Sequence, residues 1–423
     1  MASVEPPDDY LNFELSISEE GTRYFAKVTD SPAGESPRVQ LPLLYENPQK
    51  VAEALLRLEN ALLRKAANVR GGAEESILRE FGGMIFDRVF RHPEIATLYA
   101  ASQARVHAGE GKGLRVKLRI DTPELAQLPW EYLYDSKPKD YLALLHESPV
   151  VRYLEVARPK PALSVDGSLN VLGMIANPGG EWVNINAARE RERIDKAMAP
   201  HQKSGKIHFS WVPGETTQHL VDMVGKRPWH VFHFIGHGGI QTAEIGAPPS
   251  FDKETEGFIV LSDGKGGAVE VSASDLKVYL DIASLRIVVL NCCESARGTA
   301  TDNFASPAAA LVRRGVSAVI AMQFPISDDA AINLAGAFYD HLAANQPLEE
   351  ALTHARKMVK ATSPVEWGIP VLFTRAKTGR LFSGLRSVPS TGSTGASPGL
   401  AATIKVAMPA ADARARLREL FRE

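Results

Sequence analysis

The sequence predicts an α/β protein: a mostly parallel sheet with helices on both faces, preceded by a smaller α+β region. Three observations carry this. The runs LNVLGMIAN (169–177), IHFSWV (207–212), HVFHFIG (230–236), LRIVVLN (285–291), VSAVIAM (316–322) and IPVLFT (369–374) are strand-length and largely apolar. Most lack the polar alternation of a half-exposed strand, which fits strands covered on both sides. Stretches with helical spacing separate them, over about 185–199, 304–314, 327–344 and 348–361. Before residue 160 the order is different, with an alternating hairpin first and helices after it.

In chain order, NFELSISEEG and TRYFAKVTD alternate apolar and polar around Glu20-Gly21, which predicts a β-hairpin. Val51, Leu55, Leu58 and Leu62 recur at helical spacing between Asn47 and about Asn68, and a second helix follows near 73–89. LRVKLRI (114–120) reads as a strand with Leu114, Val116, Leu118 and Ile120 on one face. Pro159, Pro161 and the Asp166-Gly167 pair mark a boundary near 158–167. FIVLSDGKGGAVEV (258–271) is a hairpin insertion turning at DGKGG, and a helix starts at Ser274. The expected organisation is a frayed terminus over 1–12, an α+β region over 13–160 and an α/β domain over 161–385. A Ser/Gly/Pro linker over 386–402 and an Arg-rich tail helix over 403–423 follow.

Composition sets limits on function. The 423 residues are 44% hydrophobic, 23% charged and 7% aromatic, close to the average soluble domain, which excludes a disordered or fibrous chain. No apolar run approaches the roughly 18–20 residues of a spanning helix. Glu5, Asp8 and Asp9 stand where a secretory signal would carry basic residues, so a cytoplasmic protein is expected. A net charge of −2 gives no broad footprint for nucleic acid, and the basic stretch QARVHAGEGKGLRVKLR reads as a solvated face. Lys265 of DGKGG is not followed by Ser or Thr, so no phosphate loop and no nucleotide cofactor are predicted.

The two cysteines, Cys292 and Cys293, are neighbours at the end of an apolar run and cannot staple distant parts of the chain. In an open α/β sheet, reactive groups gather at the carboxyl ends of strands. One predicted strand ends in Gly236-His237-Gly238-Gly239, another in Asn291-Cys292-Cys293-Glu294-Ser295. The separation, 293 − 237 = 56 residues, leaves room for a hairpin and a helix, so the two strands can lie side by side. An imidazole there can deprotonate a thiol, and thiolate is the attacking species in acyl transfer. Gly238 lets the backbone approach a carbonyl, with its N–H and that of Cys293 as oxyanion donors.

A strand ending in H-F-x-G-H-G and a later one ending in L-N-x-C-E-S resemble the CHAT-domain proteases, relatives of caspases, metacaspases and separases. The resemblance runs over about 120–375 and includes LPWEYLYD, VVRYLEV, LGMIANP, the helix with Glu190 and FPISDDAA. The spacing is close to the roughly 50 residues of caspases. It implies a caspase-like sheet and a cysteine endopeptidase with His237 as the base and Cys293 as the nucleophile. Cys292 takes the place of the small residue before the nucleophile, which departs from the family pattern; alternation along the strand would point the two thiols in opposite directions. The resemblance also implies a protein substrate, a separate activator or sensor, and a place in bacterial antiphage or conflict systems. A catalytically silent scaffold that binds a protein is the alternative.

Other residues have plainer readings beside the functional ones. His230 and His233 fall within a strand and read as structural. His233 and His237 at i, i+4 would lie over about 13 Å apart on an extended chain, too far to share a zinc ion. Asp328 shapes the substrate pocket by the family pattern, or belongs to a helix start capped by Ser327 or by Asp328 itself. Asp263 faces a basic substrate side chain or makes the DG turn.

Overall fold

The structure, a computed structural model, describes residues 8–21, 23–41, 53, 56–58, 60–62, 73–155, 159–179, 182, 184–240, 256–292 and 306–385. Cys293, the 386–402 linker, the 403–423 tail, the first seven residues and most of the 47–68 helix lie outside the described residues.

One eleven-stranded sheet runs through the molecule. Its strands, in chain order, are β1 Tyr10–Glu20, β2 Arg23–Asp30, β3 Val39–Leu41, β4 Gly113–Ile120, β5 Val150–Tyr153, β6 Leu169–Ile175, β7 Ile207–Trp211, β8 Val231–Ile235, β9 Ile287–Asn291, β10 Ala318–Met322 and β11 Pro370–Thr374. Their order across the sheet is β7-β6-β8-β9-β10-β11-β5-β4-β1-β2-β3. The first five are mutually parallel. β11 pairs antiparallel with β10, then parallel with β5, and β5, β4 and β1 continue in its direction. The predicted hairpin β1–β2 forms, and its antiparallel pairs close that end of the sheet. The α/β class thus stands, with two refinements. The strand at 369–374 reverses direction, and the N-terminal strands extend the same sheet.

Both faces of the sheet are covered, as the unbroken apolar strands require. Helices α1 Ala73–Phe90 and α2 Pro93–His107 pack on β1, where Phe90 and Tyr99 meet Phe13. On one face of the sheet lie α3 Ala187–Lys203, α7 Asp328–Ala343 and α8 Leu348–Thr362. Their core takes Val289, Ile320, Met322, Ile194, Met198 and Leu334. On the other face lie α4 Thr217–Val224, α5 Ala273–Tyr279 and α6 Pro307–Arg313, over Leu172, Phe232, Phe234, Val288, Leu290 and Val319. The alternation is visible along β9, where Val289 belongs to one core and Leu290 to the other. Helix α2 was not signalled by any strong periodicity; it begins at Pro93, a residue preset for the first helical turn.

Two basic residues of the stretch expected to be solvated are instead buried. Arg115 and Lys117 alternate with Leu114 and Val116 on β4, but α8 covers their face as well. The Arg115 guanidinium donates to Glu349 of α8 (2.6 Å), to Asp8 (2.6 and 3.0 Å), to Asn12 (2.9 Å) and to the Lys377 carbonyl (3.1 Å). Lys117 reaches the same Lys377 carbonyl at 3.3 Å.

Candidate active site

The parallel strands β6, β8, β9 and β10 present their carboxyl ends along one edge. At the last paired position of β8 and β9, Ile235 stands opposite Asn291, and the Gly236 N–H donates to the Asn291 carbonyl at 3.3 Å. His237 follows two residues beyond Ile235, and Cys292 one residue beyond Asn291. His237 and Cys292 therefore follow the ends of two adjacent strands, and neighbouring strands are spaced about 4.8 Å in the hydrogen-bonding direction. The two strands that carry the motifs lie side by side, as the sequence suggested, and Cys293 itself lies outside the described residues.

His237 opens a short strand, His237–Ile240, that pairs antiparallel with Gly257–Ser262, which pairs in turn with Ala268–Ser272. The DGKGG hairpin expected from sequence is present, with the histidine strand added to its side. Gly238 lies opposite Ile259 in this pairing. A Cβ on Gly238 would come within 3.0 Å of Cys292 Sγ and 2.9 Å of the Phe258 carbonyl, closer than side chains pack. Glycine is thus required here for the histidine strand to pass over Cys292. Gly236 is held by the same argument, since a Cβ there would meet the Phe234 ring at 2.5 Å.

Cys292 is 3% exposed and packs among Leu290, Phe234 and Ile259 on the α4–α6 face. That is the environment of a small hydrophobe.

The His237 ring stacks on Trp182, with centroids 5.3 Å apart and planes at 29°. Trp182 also meets Phe258 edge-on at 6.4 Å. Sequence reasoning missed this tryptophan. It belongs to the loop after β6, and only the strand order, with β6 beside β8, brings it over the histidine. That loop is pinned by Asn177, whose N–H donates to Glu215 at 2.9 Å and whose Oδ1 accepts from the Ile185 N–H at 2.8 Å.

Asp263 lies at the hairpin turn, fully engaged with it. Its Oδ1 accepts from the Lys265 and Gly267 N–H groups at 2.7 and 2.8 Å, and these bonds hold its carboxyl below the usual range. That is the turn-making geometry, and the turn leans on Gly179 of the β6 loop. Asp328 is the first residue of α7 and is exposed, 4.0 Å from Arg193. The cap is Ser327, whose Oγ accepts from the Ala330 N–H, while its own N–H and hydroxyl donate to Glu366 at 2.7 and 3.0 Å.

His230 and His233 are both structural. His230 Nδ1 accepts from the Asn170 N–H at 2.9 Å, and His233 Nδ1 meets the Tyr339 hydroxyl at 3.0 Å. Burial pushes each imidazole down to about 4, so both are neutral at pH 7. Below Asn291, between β9, β10 and α7, a cavity of about 20 Å³ is lined by His233, Met322, Leu334 and Tyr339. It has room for about one water and none for a side chain. No group of three or more metal-ligating residues occurs among the described residues, and none of their helices is long and apolar enough to cross a membrane.

A third carboxylate, not singled out as a site residue, belongs to the same edge. Glu190 in the first turn of α3 is buried, and its Oε1 has no hydrogen-bond partner among the described residues. Burial first, and the Asp328 charge second, push its carboxyl up to about 7.

The profile of the CHAT domain matches residues 82–376, well over half of the chain. No curated protein matches the sequence. Among solved structures, the chain is similar to a chain of the Saccharomyces cerevisiae separase–securin complex, at 10% identity and a TM-score of 0.49. That similarity covers 87% of this chain and 30% of the other, so this chain spans under a third of its neighbour's length. It is also similar to the Arg-specific cysteine proteinase gingipain R, at 11% identity and a TM-score of 0.41, over 79% of this chain and 77% of the other.

Proposed function

This chain belongs to the CHAT-domain family, and from that premise we propose that it is a cysteine endopeptidase using His237 and Cys293. The observation that carries the reading is the register of β8 and β9. Ile235 and Asn291 are paired, and His237 and Cys293 each follow that pair by two residues in the sequence.

In the proposed mechanism, His237 takes the proton of the Cys293 thiol, and the thiolate attacks the carbonyl carbon of a peptide bond. The tetrahedral oxyanion is held by the N–H groups of Gly238 and Cys293. Its collapse expels the amine, which takes its proton from His237, and leaves a thioester on Cys293. Water then attacks the thioester with His237 as base, which frees the carboxylate product and the thiol. Trp182 supports the imidazole face and restricts its rotation. Cys292 takes no part in this reading, because its side chain is buried in the core beneath the histidine strand. The family membership also underlies the proposal that a separate protein partner activates the enzyme, within a bacterial antiphage or conflict system.

Mapping of new protein N-termini in cells that express the wild type, Cys292→Ala or Cys293→Ala, with the neighbouring genes present, tests this. Specific cuts are expected with the wild type and with Cys292→Ala. Cys293→Ala should lose them by roughly 10³-fold or more. If Cys293→Ala keeps both the cuts and the biological effect, the peptidase reading is wrong. If it keeps the effect where no cuts occur at all, the chain is a binding scaffold.

A further inference from the structure

Helix α3 runs antiparallel to the strands it covers. It leaves the carboxyl end of β6, and a three-residue link, 204–206, returns it to the start of β7. Its buried residues are Glu190, Ile194, Met198 and His201, one stripe at helical spacing. Ile194 and Met198 belong to the core against the sheet. Glu190 continues that stripe one turn toward the carboxyl edge.

Contacts with α7 fix the level. Arg193 stands against Asp328 (4.0 Å) and Asp329 (3.0 Å), Ala197 Cβ lies near Gly336, and His201 Nε2 meets Asp340 at 3.3 Å. The two helices therefore run side by side in one direction, and Glu190 lies a turn beyond the start of α7. Its carboxylate is above the last apolar layer, at the edge that carries His237. The position would suit an apolar residue by its burial, since Glu190 is 5% exposed. An acid there whose oxygen has no partner among the described residues is costly unless another group meets it. The charges that act on it are Asp328 and Asp329 from α7 and Arg193 and Arg189 from its own helix. Arg193 is turned to the two aspartates, so the cluster keeps an excess of negative charge.

We infer that Glu190 is the specificity-determining carboxylate of the peptidase, receiving the Arg or Lys side chain of the substrate residue whose carbonyl is attacked. This rests on the peptidase reading above. A guanidinium or ammonium supplies the donors that the Glu190 oxygen lacks among the described residues, and a charge-assisted bond in a buried site is a strong one. Three carboxylates against two guanidiniums select a cation over an anion or an apolar group.

The test uses cells that express the full chain together with the neighbouring genes, treated with peptidyl acyloxymethyl ketones that carry Arg, Lys, norleucine or Asp at this position. The thiolate displaces the acyloxy group as carboxylate and leaves a thioether, read by mass spectrometry on Cys293. The Arg and Lys probes should react roughly 10- to 100-fold faster than norleucine, and Asp slowest. Glu190→Gln should lower the Arg-to-norleucine ratio by about the same factor, and Glu190→Asp by less. The wild-type ratio should rise from pH 6 to pH 8 as Glu190 ionises, and Glu190→Gln should flatten it. The ratio cancels the titration of the nucleophile itself. If Glu190→Gln fails to fold, the wild-type ratio and its pH dependence decide alone. Norleucine reacting as fast as Arg in the wild type overturns the role of Glu190 and leaves the peptidase standing. Failure of every probe to label Cys293 overturns both.

Discussion

Arg115 and Glu190 are both almost fully buried, on the same face of the same sheet, yet in opposite circumstances. The Arg115 side chain is 3% exposed and meets Glu349, Asp8, Asn12 and a backbone carbonyl, and Glu349 is itself 3% exposed. Its carboxylate partners outweigh the effect of burial and hold its pKa above the ordinary value. Glu190 has two arginines nearby but an oxygen that none of them bonds, and burial dominates its titration. The first arrangement is a seam, in which a charge is buried because a partner from a distant part of the chain is buried with it. The second leaves an oxygen without a partner among the described residues, the place where the inference above puts a substrate cation. Satisfied burial holds structure together, and unsatisfied burial at an open edge points to a ligand.

Breaking the seam should produce the largest stability effect. Arg115→Met keeps most of the volume but leaves Glu349 buried without its main partner. Removing one member of a buried pair costs about 3–5 kcal/mol. Urea unfolding should show that loss at pH 7, and the paired change of Arg115→Met with Glu349→Leu should recover most of it. A single-variant loss below about 1 kcal/mol would mean the pair is not the seam described.

Glu190→Gln should shift stability the other way, and by less. Burial pushes the folded carboxyl up to about 7, against an ordinary 4.5. With its folded pKa raised, its neutral form favours folding, and that contribution is fully present below pH 4.5 and lost as pH rises through 7. An amide of the same shape does not ionise. The variant should therefore match the wild type near pH 4 and exceed it by about 1–3 kcal/mol at pH 8. Added stability with reduced selectivity is the pattern of a functional site that is costly to keep. Equal stability at pH 8 would place Glu190 with the paired residues and remove the contrast.

These two residues also mark what could be read from sequence. The apolar runs made the central strands legible, because strands covered on both faces lose their polar alternation. His237 was legible because flanking glycines and a thiol pair at another strand end form a pattern that packing alone does not demand. Arg115 was not legible. On β4 it alternates with leucine and valine as on a half-exposed strand, and the helix covering it comes some 230 residues later. The reversal at β11 and the joining of β1 and β4 to the same sheet were equally invisible, since strand order is set by long-range pairing. Trp182 and Glu190 failed for the same reason. Each lies in a segment after β6, and only the adjacency of β6 and β8 and of α3 and α7 brings it to the site.

The smallest effect belongs to a buried polar pair between these extremes. His233 and Tyr339 satisfy one another through a single bond of 3.0 Å, with stacked rings 5.8 Å apart in an apolar setting. Tyr339→Phe should cost about 1 kcal/mol at pH 7, the net worth of one such bond. The acid limb carries the stronger signature. His233 and His230 have folded pKa values near 4, below the ordinary 6.5. Their neutral forms favour folding above pH 6.5, and that contribution falls away as pH drops toward 4, by up to about 1.4 kcal/mol per histidine per pH unit. Tyr339→Phe leaves both imidazoles buried, so it should lower the whole stability curve between pH 5 and 8 by a nearly constant amount and keep its slope. A changed slope instead would show that the hydroxyl sets the protonation of His233, and the pair would then belong with Glu190 among the groups whose charge, rather than whose packing, matters.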